Sequence, residues 1–125
     1  MEQLFRNRKL NVSVRTVKSG EEVLFYAKDV AEVLRYANPR KAIRTHVWSK
    51  NKTTLDEFKR RTESVLLCGN QPGTALLYEQ GLYQLIFSSK LPIAEAFQDW
   101  VVTDVLPSIR KTGSYKLPES ESLYG

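Results

Sequence analysis

Short segments with two different hydrophobic periods follow one another along the chain, and their order constrains the fold more than any other feature. Residues 11–17 alternate between apolar and polar, residues 23–26 are apolar and β-prone, and the turn sequence KSGE lies between them, so residues 10–26 are predicted to form a β-hairpin. The next two segments, 27–36 and 39–48, carry apolar residues three and four positions apart. That spacing predicts two short amphipathic helices directly after the hairpin.

The second half of the chain repeats this order. Residues 65–68 and 75–78 are β-prone and flank the turn cluster GNQPG, so they predict a second hairpin. Residues 79–89 then have leucine and isoleucine at helical spacing, and a last helix is predicted to begin at Pro92. The order ββαα-ββαα predicts an α+β fold with two β-hairpins and two helix pairs.

Two segments depart from clean periodicity. Residues 49–63 are polar and predict a long exposed loop, with a short strand near Thr54 and Leu55. Pro107 lies within the last helical pattern and cannot donate its backbone hydrogen bond, so a kink is expected near residues 103–106.

The length of 125 residues suits one domain, which we assign to residues 1–115. Residues 116–125, KLPESESLYG, are polar and predict a linker to a C-terminal domain outside this sequence. No apolar run approaches the ~18 residues of a membrane span, and no secretory signal is evident. With Cys68 as the one cysteine, we expect an intracellular protein in a reducing compartment and no membrane partner.

Positive charge is concentrated in one region. From Arg35 to Arg61 the chain has nine basic and two acidic residues, whereas the other 98 residues have ten basic and twelve acidic ones. A regional excess of this kind is typical of a domain that binds a polyanion such as nucleic acid. The alternative is an ordinary solvated loop and helix face.

Two short helices joined by a tight turn, with basic residues on the second, describe a helix-turn-helix-like unit. Asn38 is a suitable cap and Pro39 a suitable first residue for the second helix. Its apolar stripe, Ala42, Ile43 and Val47, should point inward. Its main predicted DNA contacts should point outward, and these are Arg40, Lys41 and Arg44. Arginine can bond guanine with both nitrogens of its fork, and lysine mainly holds phosphates.

Further candidate contacts surround this helix. Those predicted at its rim or on the following segment are Arg35, Asn38, Lys50, Lys52, Lys59, Arg60 and Arg61. Asn38 belongs to this set because the start of the helix offers backbone N–H groups to a phosphate. Trp48 has two interpretations, stacking on a base or packing in the core, and we favour packing.

Enzyme classes find little support in the sequence. The single histidine, His46, and the single cysteine fall short of the four ligands of a structural zinc site. No phosphate-binding loop or dinucleotide fingerprint is present. In SIRKTG, a Ser-x-x-Lys and a Lys-Thr-Gly share Lys111, so they are not the separate motifs of a penicillin-binding enzyme. We expect no catalysis, cofactor or metal; a hydrolase using His46 is a remote alternative.

Three segments resemble the BRO N-terminal domain of insect-virus BRO proteins and phage antirepressors. They are FYAKDVAEVLRYANPRKAIRTHV (25–47), EQGLYQLIFSSKLPIAEAFQDWV (79–101) and VLPSIRKTGSY (105–115). The resemblance implies a DNA-binding domain of a viral or phage regulator of transcription. It would act in the host nucleus or cytoplasm for an insect virus, or in the bacterial cytoplasm for a phage. The family's basic second helix falls on residues 40, 41 and 44.

Several alternatives stay open at this stage. The DNA partner can be duplex or also single-stranded, and the chain can act alone or as a homo-oligomer. The rival function is a protein-interaction module that binds a repressor or a host protein. Salt dependence separates these functions, because phosphate contacts weaken steeply as salt rises.

Overall fold

The computed structural model describes residues 2–19, 22–62 and 73–112, and within these ranges five antiparallel strands form one sheet. The spatial order of the strands is β1-β2-β3-β5-β4. Their bounds are Glu2–Asn7 (β1), Val12–Ser19 (β2), Glu22–Tyr26 (β3), Lys52–Thr54 (β4) and Ala75–Leu77 (β5). The predicted first hairpin is confirmed, since β2 and β3 pair from Thr16 with Phe25 to Ser19 with Glu22.

The α+β class is confirmed, although an unpredicted helix at Leu55–Thr62 interrupts the expected order ββαα-ββαα. The helices of the first half are Ala27–Val33 (α1), Pro39–His46 (α2) and Leu55–Thr62 (α3). Those of the second half are Glu79–Ser88 (α4), Pro92–Trp100 (α5) and Leu106–Thr112 (α6). A short 3-10 turn, Ser49–Asn51, leads into β4.

The centre of the sheet, at β3 and β5, is buried on both faces. Side chains alternate across a strand, and Phe25 and Leu77 join the main core with α1, α2 and α4 to α6. Leu24, Tyr26 and Leu76 face the other way and pack against α3. Helices on both faces explain why β3 is a continuous apolar run instead of an alternating one.

The predicted exposed loop over residues 49–63 is wrong, although the short strand expected near Thr54 and Leu55 is present as β4. This segment contains the 3-10 turn, β4 and the helix α3. Leu55 and Phe58 are buried under the second face of the sheet. Two apolar residues three positions apart are too few to reveal a helical period. The Thr54 hydroxyl donates to the Asp56 carboxylate at 2.6 Å, which lowers the pKa of Asp56 and orders the first turn of α3.

The second predicted hairpin is only partly within the described residues. Its strand at 75–78 is present as β5, which pairs with β3 on one side and β4 on the other. Its partner at 65–68 and the tail at 116–125 lie outside the described ranges. The strand β1 was not predicted; it pairs with β2 along its whole length at the edge of the sheet.

At the position of the predicted kink, the structure shows a change in the hydrogen-bonding pattern of the helix. Between α5 and α6, residues Val101–Val105 form a π-helical segment, in which the Leu106 N–H donates to the Val101 carbonyl. Pro107 follows at once. Because proline has no N–H, regular α-helical bonding cannot continue through this position, and the wider π turn provides an alternative pattern.

Candidate nucleic-acid interface

The start of α2 is fixed by its own sequence. Asn38 has extended backbone geometry, and its side-chain oxygen accepts from the Lys41 N–H at 3.1 Å. Pro39 occupies the first helical position, where no N–H is needed. The predicted cap is therefore confirmed. The Asn38 oxygen is used within the helix, which is a structural role that the DNA-contact prediction did not include.

The end of α1 has a defined backbone conformation, which directs the chain into the turn before α2. Arg35 has a φ of 65°, in the left-handed region that favours glycine. The Arg35 N–H donates to the Glu32 carbonyl, and the Tyr36 N–H donates to the Ala31 carbonyl. This pair of bonds is the Schellman motif that closes helix C-termini. The Tyr36 hydroxyl then donates to the Leu85 carbonyl at 2.9 Å and ties the turn to α4.

The orientation of α2 agrees with the prediction. Ala42, Ile43 and the following Val47 are buried, with Ile43 only 8% exposed. The side chains of Arg40, Lys41 and Arg44 are exposed. Burying the apolar stripe fixes the rotation of the helix, so the basic side chains face solvent without any cost of burying charge.

Arg40 and Arg44 line an open groove together with Lys52 on β4. The groove has a volume of about 390 Å³, and Ser49, Thr53 and Thr54 also border it. We call it the basic groove. Arg40 and Arg44 are four positions apart and lie on one side of α2. None of the three cations forms an ion pair within the part of the chain that is described. Unpaired guanidinium groups beside hydroxyls are suited to binding phosphate.

Other predicted contacts lie outside the basic groove. Lys41 is exposed on α2 and Arg35 in the preceding turn, but neither lines the groove. Lys59, Arg60 and Arg61 are on α3, which packs on the opposite face of the sheet from α2. Arg60 also forms an ion pair with Glu57. The structure therefore does not bring the α3 cations together with those of α2.

Residues 48–51 form a turn that is hydrogen-bonded to α4; we call it the 48–51 turn. The Gln84 side-chain oxygen accepts from the Trp48 N–H at 3.0 Å and from the Asn51 amide at 2.9 Å. The Asn51 N–H donates to the Trp48 carbonyl, and the Tyr78 N–H donates to the Asn51 carbonyl. Asn51 is only 6% exposed. The bonds to Gln84 and Tyr78 fix the turn against the rest of the domain, and the bond between Asn51 and Trp48 closes the turn itself.

The indole of Trp48 does not pack in the core, which corrects the favoured interpretation of this residue. Its side chain is 62% exposed, and the Lys50 ammonium lies 5.3 Å from its ring centre. Two residues that support the turn, Gln84 and Gly81, were not predicted. Glycine costs helix propensity, so its place inside the helical pattern of residues 79–89 was the available signal of a packing reason. A Cβ at Gly81 would meet the Asn51 carbonyl oxygen at 2.4 Å.

A second open groove lies on the other side of the 48–51 turn. It has a volume of about 730 Å³ and is lined by Lys50, Asn51, Tyr78, Glu79, Gln80 and Tyr83. We call it the aromatic groove. The Tyr83 hydroxyl donates to Glu79, which also pairs with Arg110. Partial burial and the neighbouring Glu79 raise the pKa of Tyr83, so the phenol is neutral at physiological pH. This side therefore presents tyrosine rings, neutral amides and the Glu79–Arg110 ion pair beside the one cation of the turn, Lys50.

Comparison with known proteins identifies the family. The BRO family, N-terminal domain, matches residues 13–107, which include both grooves. The chain belongs to this family. A Bro-N domain-containing protein of Autographa californica nuclear polyhedrosis virus is 39% identical over 79% of the chain and 33% of its own length. One from Invertebrate iridescent virus 6 is 38% identical over 82% of the chain and 27% of its own length.

The chain is similar to a bacterial protein as well as to viral ones. A protein of Haemophilus influenzae is 36% identical over 77% of the chain and 44% of its own length. The chain spans about a third or less of the viral relatives described above. No solved structure matches. In the described ranges, no helix is long and apolar enough to cross a membrane, and no group of three metal-ligating side chains is found.

Proposed function

We propose that this domain is a non-enzymatic DNA-binding module of a regulatory protein, and that it holds duplex DNA through the basic groove. The observation that carries the proposal is the convergence of Arg40, Arg44 and Lys52, three cations without acidic partners in the described structure. Arg40 and Arg44 project from the second helix of a helix-turn-helix-like pair. In related architectures that helix presents side chains to the major groove.

The surrounding charge supports the same proposal. Lys41 and Arg35 flank the basic groove on exposed positions, and each can add a phosphate contact. Ser49 and Thr53 supply hydroxyls that can donate to phosphate oxygens, whereas the Thr54 hydroxyl already donates to Asp56. Regulation of transcription, including an antirepressor role, would follow from occupying an operator. It forms part of the proposal for the whole protein.

Two triple variants test whether DNA binding depends on the basic groove or only on the net charge of the domain. Arg40→Gln, Arg44→Gln and Lys52→Gln remove two guanidinium groups and one ammonium. Losing three phosphate or base contacts should weaken duplex binding at least a hundredfold at fixed salt, at ~1–3 kcal/mol for a good base contact. The slope of log K against log salt should become shallower by about 2 to 3. Fluorescence anisotropy with a labelled duplex measures both quantities.

The matched control lies at the opposite edge of the sheet. Arg6, Arg8 and Lys9 are exposed on β1 and its turn, and β1 is the edge farthest from β4 in strand order. Changing these three residues to glutamine removes the same charges and should lower affinity only a few-fold. Equal effects of the two triple variants would show that the domain responds to net charge, and the groove would lose its assigned role.

One observation favours the alternative, a module that binds a repressor or host protein. Phe87 on α4 is strongly exposed and stacks with Tyr83. An exposed aromatic pair is typical of protein contacts. Binding of a protein partner that is insensitive to salt and lost in Phe87→Ala, with no DNA binding by the wild type, would support this alternative.

A further inference from the structure

The 48–51 turn exposes to solvent a tryptophan ring of the kind that folded domains normally bury. Trp48 leaves most of its surface in water, although tryptophan is among the side chains that gain most from burial. Its backbone is nevertheless fixed on both sides, by Gln84 at the N–H and by Asn51 at the carbonyl. A ring that is exposed on a fixed backbone is prepared for a partner with little loss of conformational entropy on binding.

The residues around the ring indicate the chemical class of that partner. Trp48 directly precedes Ser49, which lines the basic groove, and the same turn contributes Lys50 and Asn51 to the aromatic groove. The Lys50 ammonium lies 5.3 Å from the ring centre and adds a cation at the same place. A ligand on Trp48 would meet one flat apolar surface beside positive charge. A nucleotide has the same composition, a flat base beside a phosphate.

We propose that Trp48 stacks on an unpaired nucleobase while the basic groove holds the neighbouring phosphates. The proposal rests on the DNA-binding function proposed above and adds a class of ligand, single-stranded or locally unpaired DNA. In a paired duplex both faces of each base are covered by its neighbours, so the indole can stack only where a base has left the stack. Aromatic stacking of this kind tolerates any base, because every base has a π face.

The aromatic groove provides space for the next base along the strand. Its volume of about 730 Å³ exceeds that of a nucleobase, and Tyr78 and Tyr83 line it together with the Lys50 side chain. Single-stranded DNA crossing from the basic groove over Trp48 would therefore meet phosphate-binding cations first and aromatic rings next. This sequence of contacts is typical of surfaces that bind single strands.

Two substitutions at position 48 separate stacking from general hydrophobic contact. Trp48→Leu keeps an apolar side chain without a π face, and Trp48→Phe keeps a smaller aromatic ring. The probes are a ten-residue oligothymidine and a fully paired duplex of sixteen base pairs, each with a fluorescent label. Loss of one stacked base corresponds to roughly a 5- to 150-fold loss of affinity. We expect at least a tenfold loss of oligothymidine binding for Trp48→Leu and less than about threefold for Trp48→Phe. Duplex binding should change less than about threefold in both.

A direct optical signal complements the affinities. The chain has two tryptophans, so Trp100→Phe leaves Trp48 as the only one. Stacking on a base should quench its emission when oligothymidine is added, and the duplex should quench it much less. Because Trp48 is exposed, all position-48 variants should melt within about 2 °C of their parent, which shows that the turn is intact.

The outcomes distinguish this proposal from the DNA-binding function. Unchanged oligothymidine binding by Trp48→Leu, or unquenched Trp48 emission, would overturn the stacking role while groove-dependent duplex binding survives. An equal loss of both probes in Trp48→Leu would make Trp48 a general contact and would also overturn the assignment to unpaired bases. Failure of the wild type to bind either probe would overturn both proposals.

Discussion

Replacing Gly81 with alanine tests the packing that holds the 48–51 turn against α4. In a helix that packs against nothing, glycine to alanine stabilises by about 1 kcal/mol, because alanine loses less backbone entropy. Here the new Cβ would lie 2.4 Å from the Asn51 carbonyl oxygen and 3.2 Å from a methyl group of Val47. The closer atom belongs to the backbone and already accepts the Tyr78 N–H.

The expected effect is therefore opposite in sign to the ordinary rule. The Asn51 carbonyl must retreat by about 0.6 Å to reach even 3.0 Å, below which Cβ contacts are essentially never found. Overpacking of this kind costs about 1–3 kcal/mol, and weakening the Tyr78 hydrogen bond costs about 1 kcal/mol more. After the gain in helix propensity is subtracted, we expect a net loss of about 1–3 kcal/mol. This corresponds to a fall in melting temperature of roughly 4–12 °C for a domain of this size.

Circular dichroism during heating measures this change, and Gly73→Ala is the matched control. A Cβ at Gly73 meets no atom within 4 Å, so that variant should melt at or slightly above the wild-type temperature. A Gly81→Ala variant that is as stable as wild type, or more stable, would refute the argument. It would mean that α4 and the 48–51 turn are not in the close contact described.

Two further predictions concern the turn between α1 and α2. Arg35→Gly should raise the melting temperature by a few degrees, because glycine adopts the left-handed conformation of this position without the penalty of about 1–2 kcal/mol that arises for a non-glycine residue. A lower melting temperature in this variant would show that the arginine side chain contributes stability of its own. Burial raises the pKa of Tyr36, so the pKa in the folded state lies above the unfolded value near 10. The stability that the neutral phenol supplies is therefore present below about pH 10 and is lost as the pH rises further. Between neutral pH and about pH 11, the melting temperature of Tyr36→Phe should decline less steeply than that of the wild type. The variant lacks the hydrogen bond to the Leu85 carbonyl and should be about 1 kcal/mol less stable at neutral pH. Equal declines in the two proteins would show that Tyr36 is not the group whose ionisation lowers stability.

Features that depend on neighbours along the chain could be predicted from the sequence. Asn38 and Pro39 define the start of α2 within one turn of helix, and the spacing of Ala42, Ile43 and Val47 determines which side is buried. The outward direction of Arg40 and Arg44 follows from the same spacing. These predictions succeeded because helix capping and amphipathicity act over three or four residues.

Features that depend on distant residues were decided by the tertiary structure. The helix α3 contains too few apolar residues to be predicted, and it is stabilised by packing on a sheet face built from β3 and β5. Lys52 joins Arg40 because β4 pairs with β5 beside α2. Trp48 stays exposed because Gln84, 36 positions later, holds its backbone in place. Local periodicity contains no information about contacts across such separations, so only the folded chain could show that the cations and the indole lie on one surface.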